Sequence, residues 1–226
     1  DAPLLSVREI CKFYAPGKGC GDVSFDLYPG EVLGIVGESG SGKSTLLNII
    51  GGLAGFDAGT VTVGGTDLGS LNSAELADLR LRKIGFVFQA YNLIPVLSAQ
   101  ENVEFILQLQ GVSAQQRRQL AMDALASLGL GDLAHRRPGE LSGGQQQRVA
   151  IARAIVTKPV LLLADEPTAN LDSKTTSELL KVLQQLNQQQ GMTIVTATHD
   201  PIVMGFTSRQ VAMLDGEIHQ DTGSTG

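Results

Sequence analysis

The segment Gly37-Glu38-Ser39-Gly40-Ser41-Gly42-Lys43-Ser44 constrains the fold of this chain more than any other. It fits G-x-x-x-x-G-K-[ST] at every position. Val32 to Val36 before it is continuously apolar, as a central parallel strand is, and Ser44 to Ile50 after it reads as an apolar helix. Glycines let the backbone curl so that successive N–H groups converge on phosphate oxygens. The helix adds unpaired N–H groups and the positive end of its dipole. Lys43 brings a point charge to the β- and γ-phosphates, and Ser44 offers a hydroxyl to Mg²⁺. With Thr45, residues Gly37 to Ser44 make the expected nucleotide-binding loop.

A phosphate loop of this kind needs acids at a neighbouring strand end. Val160-Leu161-Leu162-Leu163-Ala164-Asp165-Glu166 supplies them. A parallel sheet presents its chemistry at the carboxyl ends of strands. Asp165 is therefore expected to hold Mg²⁺, and Glu166 to polarise an attacking water as general base. Thr193 to Thr198 reads as the adjacent strand, with His199 at its tip reaching the γ-phosphate. Gln89 is expected to end a strand over Ile84–Gln89.

Strands are also expected at Ser6–Phe13, Val23–Leu27, Thr60–Val63 and Gln210–Leu214, the last followed by an Asp215-Gly216 hairpin turn. Asn72 with Glu75, Ser98 with Glu101, and Ser113 with Gln116 read as capping pairs opening helices to about Leu81, Gln110 and Leu128. Further helices are expected from Ser142 to about Thr157 and over Ser173–Gln190. The fold class is α/β: a parallel sheet core over about 1–94 and 158–220, an antiparallel patch near the N-terminus, and a helical insert over about 95–157. From Asp221 the chain is polar, glycine-containing and expected to be loose.

The net charge of −6 argues against a nucleic-acid partner, which wants a basic face. No apolar run approaches the roughly 20 residues that span a bilayer, and Asp1-Ala2-Pro3 does not open a signal peptide. Cys11 and Cys20 have no metal or redox spacing and read as ordinary thiols of a reducing compartment.

Leu141-Ser142-Gly143-Gly144-Gln145 opens a helix with two glycines, a second anion-binding surface in a chain that has one γ-phosphate to bind. Phosphate loop, L-S-G-G-Q and acidic pair, in that order, resemble the ABC ATPases over essentially the whole chain. The resemblance implies a P-loop ATPase that binds ATP and Mg²⁺ and dimerises head to tail with a second copy of itself. Each ATP would then lie between the phosphate loop of one copy and Ser142, Gly143, Gly144 and Gln145 of the other. It further implies that Tyr14 stacks on adenine, Gln89 touches Mg²⁺ and the water, Asn170 and Asp172 lie in a loop crossing the dimer interface, and His199 contacts the γ-phosphate. The partner so implied is a membrane permease on a separate chain, with this chain peripheral at the cytoplasmic face of the inner membrane.

Within the family, Ile84 to Gln89, Asn92 to Pro95, Gln145 to Val149 and Leu163 to Thr168 resemble the lipoprotein-releasing and macrolide-exporter ATPases. The stretch from Tyr14 to Asp22 is shorter than in that group, and Ala15 to Gly19 is similar to a loop of phosphonate-uptake ATPases. Non-transport relatives acting in DNA repair or translation are the alternative. The first carry long coiled coils and the second carry two phosphate loops; this chain has neither. A nucleotide-binding module without turnover would lack Glu166 or His199, and both are present.

Gln89 leads into Ala90-Tyr91-Asn92-Leu93-Ile94-Pro95, joining core and insert. Its apolar residues, with Val96, are expected to form an exposed socket for the permease; the competing expectation is that they pack the insert onto the core.

Overall fold

The computed structural model describes residues 2–15 and 18–223. Strands β1 (Leu5–Ala15) and β2 (Lys18–Leu27) form an antiparallel hairpin, and β3 (Val32–Val36) runs into helix α1 (Lys43–Ile50). Then come β4 (Ala58–Val63), the two-residue β5 (Thr66–Asp67), α2 (Ser73–Lys83) and β6 (Ile84–Val87). Helices α3 (Ala99–Leu109), α4 (Ala114–Ser127) and α5 (Gly143–Ile155) follow. The chain closes with β7 (Leu161–Asp165), α6 (Ser173–Gln190), β8 (Thr193–Thr198), α7 (Pro201–Phe206), β9 (Arg209–Leu214) and β10 (Glu217–Asp221).

Two sheets result, one ordered β2-β1-β4-β5 and the other β10-β9-β3-β8-β7-β6. In the second, β9, β3, β8, β7 and β6 pair in parallel and β10 adds an antiparallel edge. A strand covered on both faces favours residues without charge on both, which is why β3, and β7 as far as Ala164, are continuously apolar. Leu161 and Leu163 face a core shared with α1 and the antiparallel sheet. Leu162 and Ala164 face a second core with Val103, Leu125, Val149 and Leu183 from the helices. Burying each such leucine is worth roughly 1.5–3 kcal/mol. That second core is continuous between the parallel sheet and α3, α4 and α5, so the helical insert shares its core with the sheet.

The capping boxes Asn72–Glu75 and Ser98–Glu101 are formed in full. At Ser113 the side chain accepts from the backbone N–H of Gln116, but the reciprocal half of the box is not formed. Strand β6 ends at Val87, two residues before Gln89, because the chain turns over Gln89-Ala90, where Tyr91 N–H donates to Phe88 O at 3.3 Å. Asp221 does not begin a loose tail. It ends β10, its carboxylate binds Arg209 through two contacts of 3.0 and 2.8 Å, and Thr222 N–H donates to Gln210 O. Residues 224–226 of that tail lie outside the described residues. Cys11 and Cys20 are free, and burial pushes the Cys20 thiol up to about 11, which suppresses its thiolate.

Candidate active site

The phosphate loop gets its shape from three glycines in left-handed or related backbone, Gly37, Gly40 and Gly42, at φ 153°, 82° and 96°. A Cβ at Gly42 would come within 2.6 Å of Gly19 O, so the loop sits against β2 with no room for a side chain. The β9–β10 turn braces it from below: Gly216 N–H donates to Ser41 O and Gly21 N–H donates to Gly216 O. Lys43 is buried, and its ammonium donates to Gly37 O at 2.5 Å and Glu38 O at 3.0 Å. It is held over the loop, 3.9 Å from Glu166 Oε1.

Asp165 closes β7, in register with Ala197 of β8. Glu166 follows at φ +46°, an uncommon conformation for a residue with a side chain. Its N–H is tied to Ala197 O at 2.9 Å. The turn aims its carboxylate at His199, with Nδ1 2.8 Å from Oε1, and toward Lys43. Ser44 Oγ donates to Asp165 Oδ1 at 3.3 Å. Ser39, Gly40, Gly42, Lys43, Ser44, Thr45, Gln89, Asp165 and Glu166 line one cavity of about 430 Å³, with Gly19 on its wall. Gln89 thus reaches the phosphate loop from the turn after β6. A hydroxyl and a carboxylate this close are an all-oxygen donor set, which suits Mg²⁺ when phosphates complete its shell.

Burial holds the Asp165 carboxyl above the usual carboxylate range; Glu166 adds to the rise, and the Ser44 hydroxyl and Lys43 oppose it. The folded chain therefore binds this proton more tightly than the unfolded one. The stability it contributes is complete below the unfolded value and is lost as pH rises through the folded value. Asp165→Asn is expected to raise the melting temperature at neutral pH without Mg²⁺, and the gain should vanish toward about pH 3. Thermal unfolding followed by circular dichroism across pH checks this; an unchanged or lower melting temperature at neutral pH contradicts it.

Ser142, Gly143, Gly144 and Gln145 do not line that cavity. They form the N-terminus of α5, where Ser142 and Gln145 make a full capping box. Gly143 faces both loops: a Cβ there would lie 3.0 Å from the Tyr91 hydroxyl and 3.4 Å from Leu171 Cδ2. Asn170 Nδ2 donates to Gln89 O at 3.3 Å. Asp172 caps α6 by accepting from Thr175 N–H at 2.7 Å, which holds its carboxyl below the usual range. The side chain of Tyr14 lies outside the described residues.

Two further residues join this assembly: Arg153, and Gln147, which lies in the segment Gln145 to Val149 but to which the sequence assigns no role. Arg153 donates to Asn92 O and Tyr91 O. Gln147 is buried and donates to Phe88 O and Pro167 O. Both lie on α5, spaced from Gly143 so that only the folded helix brings them to those loops. The apolar segment after Gln89 divides its residues. Leu93 packs against the helical core and Tyr91 against Gly143, so these two are packing residues and not an exposed socket. Ile94 instead lines an apolar groove of about 470 Å³ with Leu53, Phe88, Phe105, Ile106 and Arg153. Val96 stands 72% exposed, with Leu53 and Phe105 also exposed.

Residues 20–169 match the family described as ABC transporter. An uncharacterized ABC transporter ATP-binding protein of Thermotoga maritima is 48% identical over 95% of this chain and 93% of its own length. A macrolide export ATP-binding/permease protein of Marinobacter nauticus is 44% identical over 98% of this chain and 35% of its own length. The chain thus spans about a third of the macrolide export relatives that it matches. Among solved structures, a dimeric ATP-binding cassette in a post-hydrolysis state bound to ADP and Pi is 41% identical. It superposes with a TM-score of 0.87 over 96% of this chain and 97% of its own.

Proposed function

The chain belongs to the ABC transporter family, and on that premise we propose that it binds and hydrolyses ATP as the motor subunit of a transporter, in an ATP-dependent dimer with a second copy of itself. The observation that carries the dimer is the division of the phosphate-reading groups. The phosphate loop and the acids share one cavity, and Ser142 to Gln145 stand outside it on α5. An N-capped helix start with two glycines, unused by the phosphate site of its own chain, suits the γ-phosphate bound by a partner copy.

Within one such site the loop N–H groups and Lys43 take the phosphates, Lys43 exchanging its two backbone carbonyls for phosphate oxygens. Ser44, Gln89 and Asp165 are the residues to hold Mg²⁺, whose chemistry there is to neutralise charge on the β- and γ-phosphate oxygens. Glu166 takes a proton from the water that attacks the γ-phosphorus in line, as the bond to the β-phosphate oxygen breaks and ADP leaves. His199 orients Glu166 through their 2.8 Å contact and is assigned to contact the transferred phosphate. Tyr14 is assigned to the adenine ring, and Asn170 and Asp172 to the loop that meets the partner copy.

Among the described residues no helix is long and apolar enough to cross a membrane. The motor role assigns the delivery of force to a membrane permease, with this chain peripheral at the cytoplasmic face of the inner membrane. The groove between sheet and helices, lined by Leu53, Ile94 and Phe105, of which Leu53 and Phe105 are exposed, is the surface for that contact. Leu53→Ala with Phe105→Ala is expected to keep basal ATP hydrolysis and lose its stimulation by the permease. Phosphate release by free chain, and by chain combined with permease in nanodiscs, measures both. Loss of basal turnover would mark these residues as core packing, and full stimulation would move the contact elsewhere.

A further inference from the structure

Gln147 is polar and 0% exposed, on the second turn of α5. Its single amide nitrogen is shared between Phe88 O at 3.2 Å and Pro167 O at 2.5 Å. Both neighbours are carbonyls, which only accept, so the NH₂ end of the amide must be the end that faces them. The amide oxygen, Oε1, has no partner among the described residues. A buried polar side chain with one orphaned atom is costly to keep, at about 1–3 kcal/mol. An apolar residue would fill the same space without that cost.

The two carbonyls explain why the site keeps it. Phe88 immediately precedes Gln89, and Pro167 immediately follows Glu166. Gln147 therefore clips together the backbones that carry the two polar groups aimed at the reacting phosphate. Glu166 also sits at φ +46°, and a left-handed residue with a side chain persists only where its surroundings over-determine it. Ala197 O holds the N–H side of that turn, and Gln147 holds the carbonyl of the next residue. The clip is on α5, whose first residues are Gly143 and Gly144, so the helix start assigned to the partner's phosphate is rigidly joined to it.

We propose that Gln147 is a positioning residue: it sets Gln89 and Glu166 relative to each other and to the start of α5, without touching ATP. The proposal rests on the reading of Gln89 and Glu166 as hydrolytic residues. In Gln147→Met the bulk stays and both donors go. A displacement of about 1 Å at a reacting group can cost roughly 10²-fold. Turnover is accordingly expected to fall by between about tenfold and 10²-fold, with KM for ATP unchanged within about threefold and a cooperative thermal transition retained. In Gln147→Glu, a protonated carboxyl can donate to one of the two carbonyls, but a carboxylate repels both. Burial raises the pKa of such a carboxyl. Turnover relative to wild type should therefore climb as pH is lowered from about 8.5 to 6, a dependence that a merely structural role would not produce.

The experiment measures phosphate release against ATP concentration and pH for wild type, both variants and Glu166→Gln. Wild-type turnover in a folded Gln147→Met, or a wild-type pH profile in Gln147→Glu, overturns the proposal. If Gln147→Met does not fold, the pH profile of Gln147→Glu decides. A wild-type chain that releases no phosphate overturns the ATPase reading itself, and is thereby told apart from failure of the Gln147 role alone.

Discussion

Glu166→Gln is expected to bind ATP and to release phosphate at least about 10²-fold more slowly than wild type, the usual scale for removing a positioned acid–base group. The carboxylate has the three neighbours that such a role requires. His199 Nδ1 lies 2.8 Å from Oε1, Lys43 Nζ lies 3.9 Å away, and Asp165 holds the adjacent position beside Ser44. A glutamine keeps the shape and still accepts a hydrogen bond at its amide oxygen, so the phosphate loop and ATP affinity should be undisturbed. It cannot take up the proton of an attacking water. Phosphate release at saturating ATP and Mg²⁺, with ATP binding followed by equilibrium dialysis, separates the two effects. Near-normal turnover with normal binding would remove Glu166 from the chemistry.

The same variant is expected to pass from monomer to dimer when ATP and Mg²⁺ are added, because an unhydrolysed ligand that binds across two copies selects the closed state. A second substitution, Gly143→Asp, should abolish this dimer. An acid in the first turn of α5 favours the helix within its own chain by complementing the dipole. It meets the partner's bound phosphates as a like charge. The position tolerates a side chain: the nearest atoms to a Cβ are the Tyr91 hydroxyl at 3.0 Å and Leu171 Cδ2 at 3.4 Å, which need give by only a few tenths of an ångström. Light scattering of Glu166→Gln and of the double variant, each with and without ATP, reads the outcome. A dimer that survives Gly143→Asp would put the L-S-G-G-Q segment outside the interface. A Glu166→Gln chain that stays monomeric at high ATP would count against a composite site.

The parts legible in the sequence are those whose physics is local. The phosphate loop needs glycines, a lysine and a hydroxyl within eight residues, and all are adjacent in the chain. The caps at Asn72, Ser98 and Ser113 each close over three residues, the last by one hydrogen bond only, so each partner stands at a fixed short spacing along the chain. The apolar runs of β3 and of β7 up to Ala164 reveal strands covered on both faces, because burial on two sides disfavours charged positions. What only the tertiary structure decided depends on partners far apart in sequence. The left-handed turn at Glu166 is held by Ala197 of the next strand. Gln89 reaches the phosphate loop from beyond the end of β6. Gln147 finds Phe88 and Pro167 at separations of 59 and 20 residues. Leu93 turns inward although its segment reads as an exposed apolar loop. None of these contacts follows from a period or from spacing along the chain, since each is set by strand order and helix packing, and those are fixed by the two cores as a whole.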